Sequence, residues 1–141
     1  MSRAAGTSGA PLTCVRVLVA DDDLQLLEMV CRAVEVFGAE VVPAATGGEL
    51  LETIANAGPF DAIVTDISMP WMSGLQVMQS ARTAGLPVPV VVMTGLRDSD
   101  LPERVAALGA RAVLLYKPFS IEELSSALQS CLHDVLTARE A

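Results

Sequence analysis

The sequence is poor in the residue types on which several common kinds of site depend. Its three cysteines, Cys14, Cys31 and Cys131, have no C-x-x-C spacing, and its one histidine is His133. Free thiols in a reducing compartment are therefore predicted. Nothing in the sequence indicates a histidine-dependent metal site or a serine–histidine catalytic triad.

Basic residues are also scarce. Nine lysines and arginines stand against 17 aspartates and glutamates, which gives a net charge of −8 without any basic cluster. We therefore expect no direct binding of nucleic acid. No apolar run reaches the length of a membrane-spanning helix, and the first 13 residues lack the apolar core of a signal peptide. We expect a soluble, cytoplasmic protein with no membrane partner.

The length and composition fit one ordinary domain. Apolar residues make up 52% of the 141 residues, enough to bury a core. We predict a flexible leader over residues 1–13, a single domain over 14–136 and a frayed tail over 137–141.

Strand-like and helix-like segments alternate along this domain. The predicted strands are Val15–Ala20, Glu40–Ala44, Asp61–Thr65, Val88–Met93 and Ala112–Tyr116. The predicted helices are Leu24–Phe37, Gly47–Ala57, Gly74–Ala84, Leu101–Leu108 and Ile121–Leu136. This (βα)₅ alternation predicts an α/β fold in which helices cover both faces of a parallel sheet.

Helix boundaries carry their own signals. Residue pairs with capping-box spacing mark four helix starts: Thr46 with Glu49, Ser73 with Gln76, Asp100 with Glu103, and Ser120 with Glu123. Glycines follow the first four helices: Gly38, Gly58, Gly85 and Gly109. Pro43 lies inside the second strand, which we therefore place at an edge of the sheet, because proline cannot donate to a central ladder. An edge position suits the flavodoxin-like, doubly wound strand order 2-1-3-4-5.

Four strands end in polar or charged residues. Strand 1 runs into Asp21 and Asp22, strand 3 into Asp66, strand 4 into Thr94 and strand 5 into Lys117. The carboxyl ends of parallel strands meet at one sheet edge, so these side chains should lie together. Three adjacent carboxylates need a proton or a cation among them. Oxygen ligands of this kind suit Mg²⁺ or Mn²⁺ better than Zn²⁺.

A hard divalent ion, a lysine and a hydroxyl around one carboxylate form a phosphoryl site. Asp66 would be the nucleophile, Lys117 and the metal would neutralise phosphoryl oxygens, and Thr94 would donate a hydrogen bond. Each residue alone has a plainer explanation: Asp23, for example, is predicted to cap the first helix. Together, however, the acidic residues, Thr94 and Lys117 follow four different strands in the expected order.

Four segments then resemble the response-regulator receiver domain of bacterial two-component signalling: Val17–Asp22, Asp66–Gly74, Val91–Gly95 and Tyr116–Phe119. The resemblance covers roughly residues 15–136. It implies that Asp66 is the phosphoacceptor. It also implies that Asp22 and the backbone carbonyl of Ser68 join Asp66 as Mg²⁺ ligands, with Asp21 acting mainly through metal-bound water.

The resemblance further implies the switch residues and the partners. Thr94 matches the switch hydroxyl and Lys117 the phosphoryl-binding lysine. The donor would be a histidine kinase or a phosphotransfer protein, and the chain would not be a dedicated enzyme. The output would be a protein contact on the face of helix 4, strand 5 and helix 5. The family usually has an aromatic three residues before the lysine, where this chain has Leu114, while Tyr116 directly precedes Lys117.

Two further hypotheses concern single side chains. Leu96, two residues after Thr94, is expected to hinder the water that would attack a phosphorylated aspartate. Trp71 is expected to lie over the rim of the pocket, where its fluorescence would respond to Mg²⁺.

Two alternatives remain open at this point. In a haloacid-dehalogenase-like phosphohydrolase, Asp21 would be the nucleophile, Asp23, Thr94 and Lys117 would assist it, and Asp66 would be incidental. In a phosphorylation-independent interaction scaffold, none of these residues would accept a phosphoryl group.

Overall fold

The computed structural model describes residues 14–70, 72–109 and 111–133. The predictions for the leader, for Trp71 and for the tail concern residues outside these ranges. None of the helices in the described part of the chain has the length and apolar character needed to cross a bilayer.

Five strands and five helices alternate, as the sequence predicts. The strands are β1 (Arg16–Ala20), β2 (Glu40–Ala44), β3 (Ala62–Asp66), β4 (Val90–Thr94) and β5 (Ala112–Tyr116). The helices are α1 (Leu24–Val36), α2 (Gly47–Ala57), α3 (Gly74–Thr83), α4 (Leu101–Ala106) and α5 (Ile121–Cys131).

All strand pairs are parallel, and the sheet order is β2-β1-β3-β4-β5. The predicted flavodoxin-like, single-domain α/β fold is therefore confirmed. Pro43 pairs with Val19 in the outermost strand, where a residue without an N–H can be accommodated. The chain reverses its direction of growth between β1 and β3, which places a crevice at their carboxyl ends.

Alternate side chains of each strand enter one of two cores. Val17 and Val19 of β1 join the core under α1 and α5, whereas Leu18 and Ala20 join the core under α2, α3 and α4. Since both faces of the sheet are covered, the residues of β3 and β4 are buried throughout.

The predicted helix caps are largely confirmed. Capping boxes begin α3 at Ser73 and α5 at Ser120, and Asp23 caps α1 by accepting from two backbone N–H groups. At α2, Thr46 caps the helix, but the Glu49 carboxylate accepts from the N–H of Ala45, so that capping box is incomplete.

Two predicted cap geometries and one predicted strand start are wrong, although α2 ends and α4 begins at the predicted residues. Asp100 has a helical backbone and makes no capping hydrogen bond with its side chain. Gly58 has an extended backbone and leads into a cis bond to Pro59, so α2 does not end in a left-handed glycine. The fourth strand begins at Val90, two residues later than predicted, because the preceding Pro89 has no N–H for the ladder and contributes only its carbonyl.

Candidate phosphoryl and metal site

The acidic end of β1 serves three separate purposes. Asp21 is fully buried, and its Oδ1 atom accepts from the N–H of Asp23 at 2.9 Å. Asp22 is exposed, and the Asp23 carboxylate accepts from the N–H groups of Gln25 and Leu26. Asp23 therefore caps α1, as the sequence predicts. Asp21 and Asp22 are available to the crevice.

Asp66 is held at the tip of β3 by close backbone packing. Its side chain lies among buried residues, with 5% of the residue exposed. The hydroxyl of Thr65 donates to the backbone carbonyl of Asp66 at 3.0 Å. A side chain on Gly74 would overlap that carbonyl and the Thr65 hydroxyl. The start of α3 can therefore lie directly beneath Asp66 only because residue 74 has no Cβ.

The structure brings the three predicted carboxylates together. Oxygen atoms of Asp21, Asp22 and Asp66 lie within 4.8 Å of one another. Lys117 Nζ lies 3.0 Å from Asp21 Oδ2 and 3.1 Å from Asp66 Oδ1, so it bridges the two buried acids. Three carboxylates with one ammonium leave two negative charges uncompensated.

This charge balance is visible in the pKa values. Burial raises the pKa of Asp66, and the charge of Asp21 raises it further, with Lys117 opposing both. Burial acts to lower the pKa of Lys117, but its hydrogen bonds to Asp21 and Asp66 and their charges outweigh burial, so that this pKa is raised. Lys117 therefore stays protonated, and it is the cation that acts to lower the pKa of Asp66.

The donor set fits a hard divalent cation. Three carboxylates offer oxygen ligands, and an ion of charge +2 would neutralise the excess that Lys117 leaves. Ser68 lies two residues beyond Asp66 on the exposed start of the loop between β3 and α3. The part its carbonyl plays stays a prediction.

Thr94 lies at the adjacent strand end. It is 1% exposed, and its Oγ1 atom accepts from the N–H of Leu96 at 2.9 Å. Because that hydrogen bond uses a lone pair, the hydroxyl proton is still able to donate. The backbone N–H of Lys117 donates to the Thr94 carbonyl at 2.7 Å, which joins the ends of β4 and β5.

Sequence reasoning missed two features of the site. It assigned Asp21 a role through metal-bound water, and the structure adds a direct ion pair with Lys117. It also left Tyr116 without a partner, whereas the Arg97 guanidinium lies over the Tyr116 ring at 4.3 Å. Leu114, at the position where an aromatic is usual, packs against the core under α2, α3 and α4. The contacts of Asp21 with Lys117 and of Arg97 with Tyr116 join residues far apart in sequence, so no local sequence pattern predicts them.

Comparisons with known proteins agree with this geometry. The family described as response regulator receiver domain matches residues 17–129. Response regulator MprA of Mycobacterium sp. (strain KMS) is 43% identical over 119 residues, and the match covers 84% of this chain and 50% of MprA. MprA of Mycolicibacterium vanbaalenii is 42% identical over the same shares. The chain thus spans about half the length of these curated relatives.

Solved structures show the same fold. Chemotaxis response regulator CheY4 of Vibrio cholerae has a TM-score of 0.76 and 31% identity, and the match covers 85% of this chain and 100% of CheY4. Response regulator TrrA of Thermotoga maritima, solved in complex with Mg²⁺ and BeF, has a TM-score of 0.73 at 24% identity, covering 84% of this chain and 99% of TrrA. Together with the profile match over residues 17–129, these results show that the chain belongs to the response-regulator receiver domains of two-component signalling.

Proposed function

We propose that Asp66 accepts a phosphoryl group from the phosphohistidine of a histidine kinase or a phosphotransfer protein. The observation that carries the proposal is the position of Asp66 between Lys117 and two further carboxylates at the carboxyl edge of the sheet. As the new O–P bond forms on Asp66, the P–N bond of the donor breaks, and the imidazole nitrogen leaves with the electron pair.

Mg²⁺ is the proposed cofactor, and Mn²⁺ could replace it. Asp22, Asp66 and the carbonyl of Ser68 would hold the ion, with Asp21 acting through water. The ion supplies positive charge for the phosphoryl oxygens.

The chain's own residues supply the remaining interactions. Lys117, already 3.1 Å from Asp66, would pair with a phosphoryl oxygen, and the Thr94 hydroxyl would donate to another. Asp21 keeps the lysine ammonium charged and oriented through the ion pair at 3.0 Å. On this proposal, the chain is a phosphoacceptor and not a dedicated enzyme.

An apolar groove beside the site suits the approach of a protein donor. It has a volume of about 350 Å³ and is lined by Leu26, Met29, Lys117, Pro118 and Phe119. Met29 is 48% exposed, so the groove continues onto open surface of α1. Lys117, which lines this groove, lies 3.1 Å from Asp66 and so connects the groove to the phosphoacceptor.

The proposed output is a protein contact on the face of α4, β5 and α5. Phosphorylation would shift the population between two arrangements of the segment that follows Thr94, which leads directly into α4. A phosphoryl supply that originates from ATP implies a cytoplasmic location.

The alternative functions are not favoured. A phosphohydrolase with Asp21 as nucleophile would need that carboxylate open to its substrate, yet Asp21 is fully buried, and its two oxygens accept from the Asp23 N–H and Lys117 Nζ. The assisting Asp23 instead caps α1. A phosphorylation-independent scaffold would not require the buried Asp66–Lys117 pair, and a buried acid with a raised pKa is costly to retain without a use.

Mass spectrometry after treatment with acetyl phosphate tests the proposal. The wild-type protein should gain one phosphoryl group on Asp66 when Mg²⁺ is present and none when EDTA removes it. Asp66→Asn should gain none, while Asp98→Asn, which changes an exposed aspartate outside the cluster, should behave as wild type. Modification at Asp21, or an unmodified wild-type protein at saturating Mg²⁺, would overturn the proposal.

A further inference from the structure

The start of α2 touches the loop that follows the phosphoacceptor. Gly47, the first residue of α2, is buried, and a Cβ placed on it would overlap the carbonyl oxygen of Met72. The same Cβ would lie 2.9 Å from the Met72 carbonyl carbon and 3.1 Å from its Cβ. Backbone therefore meets backbone at this point, and the obstacle is not the movable end of a side chain.

The neighbouring Gly48 has no such contact. It is exposed, and a Cβ there would meet only Thr46 Oγ1, at the ordinary distance of 3.8 Å. Two adjacent glycines in the same helical turn thus differ in this one respect. The chain provides a matched pair for testing what the contact does.

Met72 is connected to the acidic pocket through its own loop. Its N–H donates to the Pro70 carbonyl at 2.8 Å, and the Gly74 N–H donates back to the Ile67 carbonyl at 3.1 Å. These hydrogen bonds are made within the loop that follows Asp66 and contains Ser68. Met72 and Gly74 are thus hydrogen-bonded to Pro70 and Ile67, the residues that flank Ser68 and Met69.

The start of α2 cannot simply retreat from this loop. Thr46 Oγ1 accepts from the Glu49 N–H at 3.0 Å, and the Glu49 carboxylate accepts from the Ala45 N–H at 2.7 Å. One residue earlier, the Ala44 carbonyl accepts from the N–H of Asp21 at 3.1 Å. The segment from Ala44 to Gly47 thus contacts the backbone of Asp21, just after β1, and of Met72, in the loop that leads from β3 to α3.

We propose that Gly47 is a positioning residue for the cation site: its contact with Met72 fixes the loop after Asp66 at the correct distance from Asp21 and Asp22. The inference rests on the proposed function, since it concerns the same Mg²⁺ site. Mg²⁺ demands near-ideal octahedral geometry at short metal–oxygen distances, so a small shift of one set of ligands weakens its binding. An added methyl group at residue 47 forces such a shift.

The experiment compares Mg²⁺ affinity in Gly47→Ala and Gly48→Ala by isothermal titration calorimetry. Both glycines lie in the first turn of α2, so the difference between the two variants reports the contact with Met72 better than either variant alone. We expect the Kd for Mg²⁺ to rise about tenfold in Gly47→Ala and to stay within about twofold of wild type in Gly48→Ala. Unfolding in EDTA, followed in parallel, separates a loss of stability from a loss of binding.

The outcomes distinguish this inference from the function on which it rests. If Gly47→Ala is less stable but binds Mg²⁺ as tightly as Gly48→Ala does, the inference alone is overturned, and Gly47 is a packing residue. A wild-type protein that binds no Mg²⁺ would overturn both.

A second measurement covers the case in which Gly47→Ala does not fold. In the wild-type protein, two-dimensional NMR during a Mg²⁺ titration should shift the Gly47 amide with the same Kd as the Ser68 amide. The Glu52 amide, further along α2, serves as the control and should not shift. An unchanged Gly47 amide would overturn the inference.

Discussion

The two loops that border the acidic pocket are held in different ways. The loop from Ile67 to Ser73, between β3 and α3, is fixed by backbone at both ends. Gly74 lies against the Asp66 carbonyl, and Gly47 lies against the Met72 carbonyl. A complete capping box at Ser73 anchors its exit into α3.

The loop from Gly95 to Asp100, between β4 and α4, is open by comparison. All six of its residues are exposed, and a Cβ on Gly95 would have no atom within 4 Å. Thr94 accepts from the Leu96 N–H, and Arg97 stacks on Tyr116. Where the loop runs into α4, the carbonyls of Asp98 and Asp100 accept from the N–H groups of Leu101 and Arg104. These are interactions that can be exchanged without moving the sheet.

The difference corresponds to two requirements of a phosphorylation switch. Ligands of a small cation must keep fixed distances, which close backbone packing provides. A segment that reports the phosphoryl group must change conformation at low cost, and segments with few buried contacts do so most readily. The first loop suits the chemistry and the second suits the signal.

The largest expected effect comes from adding one methyl group at the end of the first loop, on Gly74, and one in the second loop, on Gly95. Gly74→Ala must displace the Asp66 carbonyl or the Thr65 hydroxyl, so we expect a loss of about 3 kcal/mol in unfolding free energy. Gly95→Ala meets no atom, and its effect should stay within about 1 kcal/mol. Urea denaturation of both variants measures the contrast. Equal effects would show that the two loops are equally constrained.

A smaller effect is expected when the buried charge is removed. Since burial and Asp21 raise the pKa of Asp66, wild-type stability should fall as the pH rises from the ordinary carboxyl pKa through the raised one. Asp66→Asn removes this cost and should stabilise the Mg²⁺-free protein by about 1 kcal/mol at pH 7. The gain should shrink at acidic pH, where Asp66 is protonated. Thermal unfolding in EDTA across this pH range checks the sign; a destabilised variant at neutral pH would contradict it.

The open loop should also control the lifetime of the phosphorylated form. Leu96, 44% exposed and two residues after Thr94, is predicted to obstruct attacking water, so Leu96→Asn should accelerate loss of the phosphoryl group by about threefold. Leu86→Asn is the matched control. Leu86 is 43% exposed, but it lies near the amino-terminal ends of the strands, away from the carboxyl ends that carry the site. Release of phosphate after removal of the donor gives both rates. Identical rates would exclude the role of Leu96.

The smallest effect concerns the stacking of Arg97 on Tyr116. Exposed cation–π pairs contribute about 0.5–1 kcal/mol, so Arg97→Ala should lower stability by less than 1 kcal/mol. Tyr116 is the one tyrosine in the chain, so fluorotyrosine labelling gives a single ¹⁹F resonance. That resonance should move in Arg97→Ala and stay in place in Arg104→Ala. A resonance unaffected by Arg97→Ala would mean that the pair does not persist in solution.

Regular patterns made much of the fold predictable. The bounds of β2, β5 and α2 agree with the predicted ones, and Pro43 correctly placed β2 at the edge. The errors occurred where one sequence signal is compatible with two local structures. Asp100 has the spacing of a capping residue, yet its backbone is already helical and its side chain makes no capping hydrogen bond.

The membership of the site was predictable for a related reason. Strand ends are visible in sequence, and parallel strands deliver their ends to one edge, so the convergence of Asp21, Asp66 and Lys117 followed from topology. The pairing of Lys117 with both acids did not follow from the topology. Lys117 could have faced either acid or solvent, and its simultaneous contact with both depends on side-chain directions that topology leaves open.

The sequence by itself determined which side chains end the strands and in what order, because hydrophobic period and turn residues are local properties of the chain. Only the tertiary structure decided how strongly those side chains interact. The ion pairs of Lys117, the raised pKa of Asp66 and the approach of Gly47 to Met72 each join separate elements. Coulomb energy, desolvation and steric contact all depend on distances of a few ångströms, and such distances are set by packing.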